Sequence, residues 1–177
     1  MINAARLFNR LLTPGWLVSL ICLWRYGAKV SPKSEVELTH HLKLGKGSVI
    51  GSYTKLKSSD GPVELGEHVL VATHCFIASH KGGITIGDHS MLGPFASIVA
   101  VDYRYDRLDQ PISLQDKTSK GIVIGKGVWL GSGVVVLDGS RIGDGVIVTP
   151  NSVVSGRIPD NAVVQGNPAR QIFLRRP

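Results

Sequence analysis

A chain of 177 residues has the length of one domain and enough apolar residues, 43%, to bury a core. Its two cysteines, Cys22 and Cys75, exclude a disulfide framework and suit a reducing compartment. The net charge of +7 favours an anionic partner such as an acidic membrane or a phosphorylated small molecule. It is spread along the chain without Lys/Arg runs interleaved with aromatics, so nucleic acid is excluded as the main partner.

Residues 1–28 form a segment of their own. Ala4 to Leu12 reads as a short amphipathic helix with Arg6 and Arg10 on its polar side, ended by Pro14-Gly15. The run from Trp16 to Trp24 is apolar, and Arg25 closes it. It falls well short of the roughly 20 residues that cross a bilayer, and it lacks the small-residue cleavage pattern of a secretory signal. Two roles stay open. One is an interfacial anchor, with Trp16 and Trp24 at headgroup depth and Arg6, Arg10 and Arg25 facing anionic lipid. The other is a cap over the open end of whatever follows. Pro32 to His41 reads as irregular chain or an imperfect first coil, with His40-His41 as solvated surface.

From Leu44 to Ser155 the chain repeats every six residues. Leu44, Ile50, Leu56, Leu65, Val71, Ile77, Ile86, Leu92 and Ile98 begin the first nine hexads. Ile124, Leu130, Val136, Ile142, Val148 and Val154 begin six more. Helices repeat near 3.6 and half-buried strands alternate, and neither fits this spacing as a solenoid of three short strands per coil does. An all-β sandwich with Gly-rich turns is the weaker alternative. One side chain per strand should fill an axial core, with the glycine after most hexad starts relieving the backbone at the bend. Coils one and two carry extra residues at Asp60-Gly61-Pro62 and Lys81-Gly82-Gly83, which should form bulges at one corner. His68, His74 and His80 lie six apart, on successive faces, so they do not converge on a metal. Between Val101 and Gly121 the hexads stop, and a projecting loop of this length is usually functional. The domain should run over 29–172, followed by a basic tail at 173–177.

The hexads, the loop, Ile124-Gly125-Lys126-Gly127-Val128-Trp129-Leu130-Gly131 and the closing Gly166-Asn167-Pro168-Ala169 together resemble the hexapeptide-repeat acyltransferases. The branch they look most like holds the maltose and galactoside O-acetyltransferases and the O-acetyltransferases of surface polysaccharides. The resemblance implies an all-β fold, a left-handed parallel β-helix, and a homotrimer with active sites between subunits. It implies direct transfer from acetyl-coenzyme A to the hydroxyl of a sugar or glycan precursor, with no metal. It places Gly131, Ser132, Thr149, Arg157 and Arg170 on the coenzyme, and Asp102, Arg104 and Trp129 on the acceptor. The implied location is the cytoplasm, with residues 1–28 able to touch the inner face of the membrane.

Two positions depart from the family pattern. The family's basic histidine falls on Tyr103, and a tyrosine hydroxyl, titrating near 10, is a poor resting base. Pro150 falls where a backbone N–H meets the pantetheine, and proline has none. His80 is the substitute base that the repeat offers, because its hexad lies one coil before that of Tyr103. Two readings follow: an acetyltransferase with a relocated base, or a non-catalytic homologue that keeps the scaffold and binds a ligand or partner enzyme. A carbonic anhydrase on the same solenoid would need three convergent histidines, which the spacing does not supply.

Overall fold

A computed structural model describes residues 13–176 and shows a solenoid of about six turns with a triangular cross-section. The first face stacks strands Lys29–Val30, Val49–Ile50, Leu70–Val71, Met91–Leu92, Trp129–Leu130, Ile147–Val148 and Ala162–Gln165. The second holds Glu35–Val36, Lys55–Lys57, Phe76–Ala78, Ser97–Val99, Val135–Val136 and Val153–Val154. The third holds Leu42–Leu44, Val63–Leu65, Ile84–Ile86, Ile122–Ile124, Arg141–Ile142 and Arg157–Ile158. These strands pair in parallel, each hexad start opposite the next: Ile50 with Val71, Ile77 with Ile98, Ile124 with Ile142. Pro32 to His41, read as irregular chain or an imperfect first coil, contributes Glu35–Val36, which lies between Lys29–Val30 and Leu42–Leu44 in an opening coil.

All fifteen hexad starts point inward, and none is more than 5% exposed. On the third face a second aliphatic side chain two places before the hexad start is also buried: Leu42, Val63, Ile84 and Ile122. On the other two faces the place is mostly smaller. Small residues two places earlier fill the rest: Ser48, Thr54, Cys75, Ser90, Ala96 and Ser152 are all buried. Their hydroxyls tie one coil to the next. Thr54 Oγ1 donates to the Ala72 carbonyl at 2.8 Å and accepts from the Cys75 N–H at 3.1 Å. Ser90 does the same with Gly125 and Val128, at 2.9 and 3.1 Å. The hydrogen bonds offset the cost of taking these hydroxyls out of water.

The glycines after the hexad starts do not make the bends. A side chain on Gly87 would meet the backbone of Gly125, and one on Gly93 the backbone of Ser132. These glycines allow close stacking of coils. The left-handed backbone falls two residues later, at Gly47, Gly127, Gly133 and Gly145, and also at Tyr53, His68, His74, His89 and Phe95. The side chains of that set stack along the corners: His68 lies on His89 at 5.1 Å, and His74 lies between Tyr53 and Phe95 at 4.9 Å from each.

Helix α1 covers Gly15–Tyr26, with Pro14 as N-cap and left-handed Gly27 as C-cap. Pro14-Gly15 therefore starts a helix, as proline near a first turn can. The helix expected over 4–12 lies outside the described residues. Val18 and Cys22 plug the end of the core, and the Tyr26 hydroxyl donates to the Leu42 carbonyl at 2.9 Å. At the other end Arg170–Leu174 folds back antiparallel on Ala162–Gln165, so Phe173 and Leu174, assigned to the tail, belong to a strand.

Candidate active site

The corner between the second and third faces carries the bulges and the loop. Each coil stacks its bulge on the one before it. Gly61 lies under the His80 backbone, where a side chain would strike the His80 carbonyl, and Gly82 lies against Gly121. The loop leaves coil three here as a hairpin, Asp102–Tyr103 paired antiparallel with Lys117–Thr118. Ser119 clamps its base: the hydroxyl donates to the Ala100 carbonyl at 2.6 Å and accepts from the Gly82 N–H at 2.9 Å. Buried Gln115 closes the hairpin from within, donating to the carbonyls of Arg107 and Gln110 at 2.8 and 3.3 Å.

His80 therefore sits at the foot of the loop, on the coil below it. Its Nδ1 is buried and has no hydrogen-bond partner among the described residues. An imidazole nitrogen is a donor or an acceptor in any tautomer, so this atom is completed from outside the chain or stays unsatisfied. Tyr103 is 40% exposed, with the Lys117 ammonium 5.4 Å from its ring centroid. Asp102 accepts from the Tyr103 N–H at 2.8 Å. Arg104 is held in a two-point pair with Asp106, at 3.0 and 2.9 Å, and this keeps the Asp106 carboxyl below its usual range. The Arg104 guanidinium is thus paired within the loop, with its side chain about half exposed.

The expected coenzyme residues lie elsewhere, at the corner between the first and second faces. Gly131 and Ser132 turn this corner, with Gly93-Pro94 on the coil below and Pro150 above. The Gly131 N–H is engaged by the Val148 carbonyl at 2.8 Å, and the Thr149 N–H by the Val164 carbonyl at 3.0 Å. Pro94 and Pro150 have no N–H to offer. Among the described residues no hydrogen bond uses the Ser132 N–H, nor those of Ser52 and Thr73 at the same corner of earlier coils, so Ser132 is the open donor on the coil that carries Trp129. Trp129 points outward beside it from the first face, 48% exposed, and exposed Arg170 starts the closing strand. Arg157 is apart from both groups, lining a shallow cleft on the third face with Arg141 and Asp160.

One whole face, up to about 20 Å of chain, separates the two corners within a single subunit. His80, Asp102, Tyr103 and Arg104 lie together at one corner, and Trp129, Ser132 and Arg170 lie at the other. The residues that spacing alone missed are Ser119 and Gln115, which lie inside the stretch where the repeat stops and carry no periodic signal.

The repeat, the three stacked faces and the loop at coil three define a hexapeptide-repeat protein of the left-handed parallel β-helix class, the architecture of acyltransferases. Residues 121–156 match the family model described as bacterial transferase hexapeptide (six repeats). The chain is 35% identical over 123 residues to the Escherichia coli K12 protein named "Putative lipopolysaccharide biosynthesis O-acetyl transferase WbbJ", covering 70% of this chain and 55% of that one. It spans little more than half the length of the first curated relatives it matches. Among solved structures, an N-acyltransferase, AntD, from Bacillus cereus, in complex with dTDP and coenzyme A, superimposes with a TM-score of 0.75. Identity there is 19%, covering 84% of this chain and 82% of that one, a likeness of fold alone. A hexapeptide-repeat acetyltransferase from Vibrio cholerae, complexed with acetyl-coenzyme A, matches at a TM-score of 0.58 and 26% identity over 96% of this chain and 81% of that one.

Proposed function

We propose that the chain transfers an acetyl group from acetyl-coenzyme A to a hydroxyl of a sugar or surface-polysaccharide precursor, in a homotrimer whose sites lie between subunits. The observation that carries this reading is the unpartnered Nδ1 of His80 under the loop, one face away from the open Ser132 N–H. Acetyl-coenzyme A supplies an activated thioester. The chain's residues position it: Ser132 offers a backbone donor at the corner, Trp129 walls the site, and Arg170 is the cation at that corner available to phosphate. His80 takes the acceptor hydroxyl's proton as the oxygen forms its bond to the carbonyl carbon, and returns it to the departing thiolate. Tyr103 borders the acceptor with Asp102.

The curated relative's name supports an oxygen acceptor, and the coenzyme-bound neighbours support an acyl-coenzyme A donor. A second reading, the non-catalytic trimer, draws on Tyr103 and Pro150, both of which strike the machinery and spare the core. Assays of acetyl-coenzyme A consumption with hydroxyl and amino sugars, free and nucleotide-linked, separate the two. Turnover lost in His80→Ala and kept in Tyr103→Phe is the expected result. Coenzyme binding without turnover on any acceptor selects the scaffold.

Subunit mixing tests the shared site. His80→Ala and Ser132→Trp chains should each be inactive alone. Refolded together at equal amounts, they should recover activity at about a quarter of the interfaces, where one intact half meets the other. No recovery would place both halves in one subunit and refute the geometry.

A further inference from the structure

The charge of this protein is not evenly spread over the fold. Residues 13–57 hold seven Lys and Arg against two Glu, whereas residues 58–177 hold eleven Lys and Arg against eleven Asp and Glu. The excess therefore gathers at the end of the solenoid that α1 covers. Only Val18 and Cys22 of α1 are buried. Its outer side shows Trp16, Leu20, Leu23 and Trp24, 59, 54, 51 and 89% exposed, at the spacing of one helical stripe. Trp16, Leu20 and Leu23 line an apolar cleft with Val30 and Pro32, and Lys29 stands at its rim. Arg25, Lys29, Lys33 and Lys46 are exposed around it and take part in no ion pair among the described residues.

We propose that this end of the solenoid docks on an anionic lipid surface, with the α1 stripe entering the headgroup layer and the surrounding cations meeting lipid phosphate. Apolar stripe and basic rim are the two components of interfacial binding, and here they share one surface. A second copy is a poor occupant, because pairing the two ends would set like charges against each other. No described helix is long and apolar enough to cross a membrane, and α1 needs only to lie in its plane. On this proposal one segment takes both roles left open by the sequence: Val18 and Cys22 cap the core, and the opposite side would face lipid. The inference stands apart from the transferase reading, and its test does not use activity.

The full chain is sedimented with vesicles of phosphatidylcholine alone and with about a third phosphatidylglycerol, at low and high salt. Binding is expected on the anionic vesicles only, weakened by salt. Lys29→Ala and Lys33→Ala should each lower affinity about fivefold at low salt, one cation near an anionic surface being worth that much. Trp24→Glu should lower it by about tenfold to a hundredfold, the value of a large side chain kept out of the apolar layer. Trp24 is almost wholly exposed, so an unchanged melting curve is expected and separates lost docking from lost folding. Absence of binding to anionic vesicles overturns the proposal. So does binding indifferent to all three substitutions, or self-association that Trp24→Glu abolishes without any lipid binding.

Discussion

Replacing Ser119 by alanine removes the hydroxyl that holds the loop against the coil bearing His80. The hydroxyl makes two bonds, to the Ala100 carbonyl at 2.6 Å and from the Gly82 N–H at 2.9 Å. Each is worth about 1 kcal/mol net, and Ala100 is fully buried, so its carbonyl has little chance of solvent in exchange. The loss is about 2 kcal/mol, rising to about 3 if the carbonyl stays unsatisfied. The hexads on either side keep their packing, so the loss should fall on the hairpin. Amide exchange across residues 102–118 should then speed up about thirtyfold, while the strand amides of coils four and five keep their protection. Turnover should fall through kcat, because the loop no longer stands over His80. Hydrogen exchange by mass spectrometry reads the effect peptide by peptide. Unchanged exchange in the hairpin would show that Gln115 and the strand pairing hold it unaided, and the clamp argument would be refuted.

The core predicts a different pattern. Ile98, fully buried beneath the loop, should cost about 2–5 kcal/mol as Ile98→Ala, seen in denaturant melts as a global loss. An effect confined to the loop would contradict the stacked-core account. Burial pushes the Cys22 and Cys75 thiols up from their usual range. A raised thiol stays protonated at neutral pH and on through its ordinary titration range, so both should resist a disulfide reagent in the folded state and react once denaturant exposes them. Fast labelling of Cys22 in the native protein, located by peptide mapping, would show that the inner side of α1 is not packed on the core.

The six-residue period was sufficient to foresee a three-sided parallel solenoid, its inward side chains and its loop. Leu, Ile and Val at every sixth place leave one geometry in which all of them meet on an axis. The bulges at Gly61 and Gly82 also carried a signal, since their extra residues break the period at matching points of successive coils. The sequence could not say which glycines turn the chain. The bend depends on backbone angles that Tyr53, His74 and Phe95 adopt as well as glycine does, supported by their stacking. Nor did spacing reveal that, among the described residues, Ser132 keeps an open N–H, as Ser52 and Thr73 do on earlier coils. That follows from which carbonyls of the next coil meet Gly131 and Thr149.

Two decisions belonged to the tertiary structure alone. Residues adjacent in the argument from sequence, His80 with Tyr103 and Gly131 with Ser132, are set on different corners by the coiling, because six residues of strand and turn advance the chain by one side of a triangle. Charges dispersed in sequence, from Arg25 to Lys57, gather at one end for the same reason: successive coils advance only about 4.8 Å each. Local pattern fixes what each residue does within its coil, and the stacking of coils fixes which distant residues share a surface.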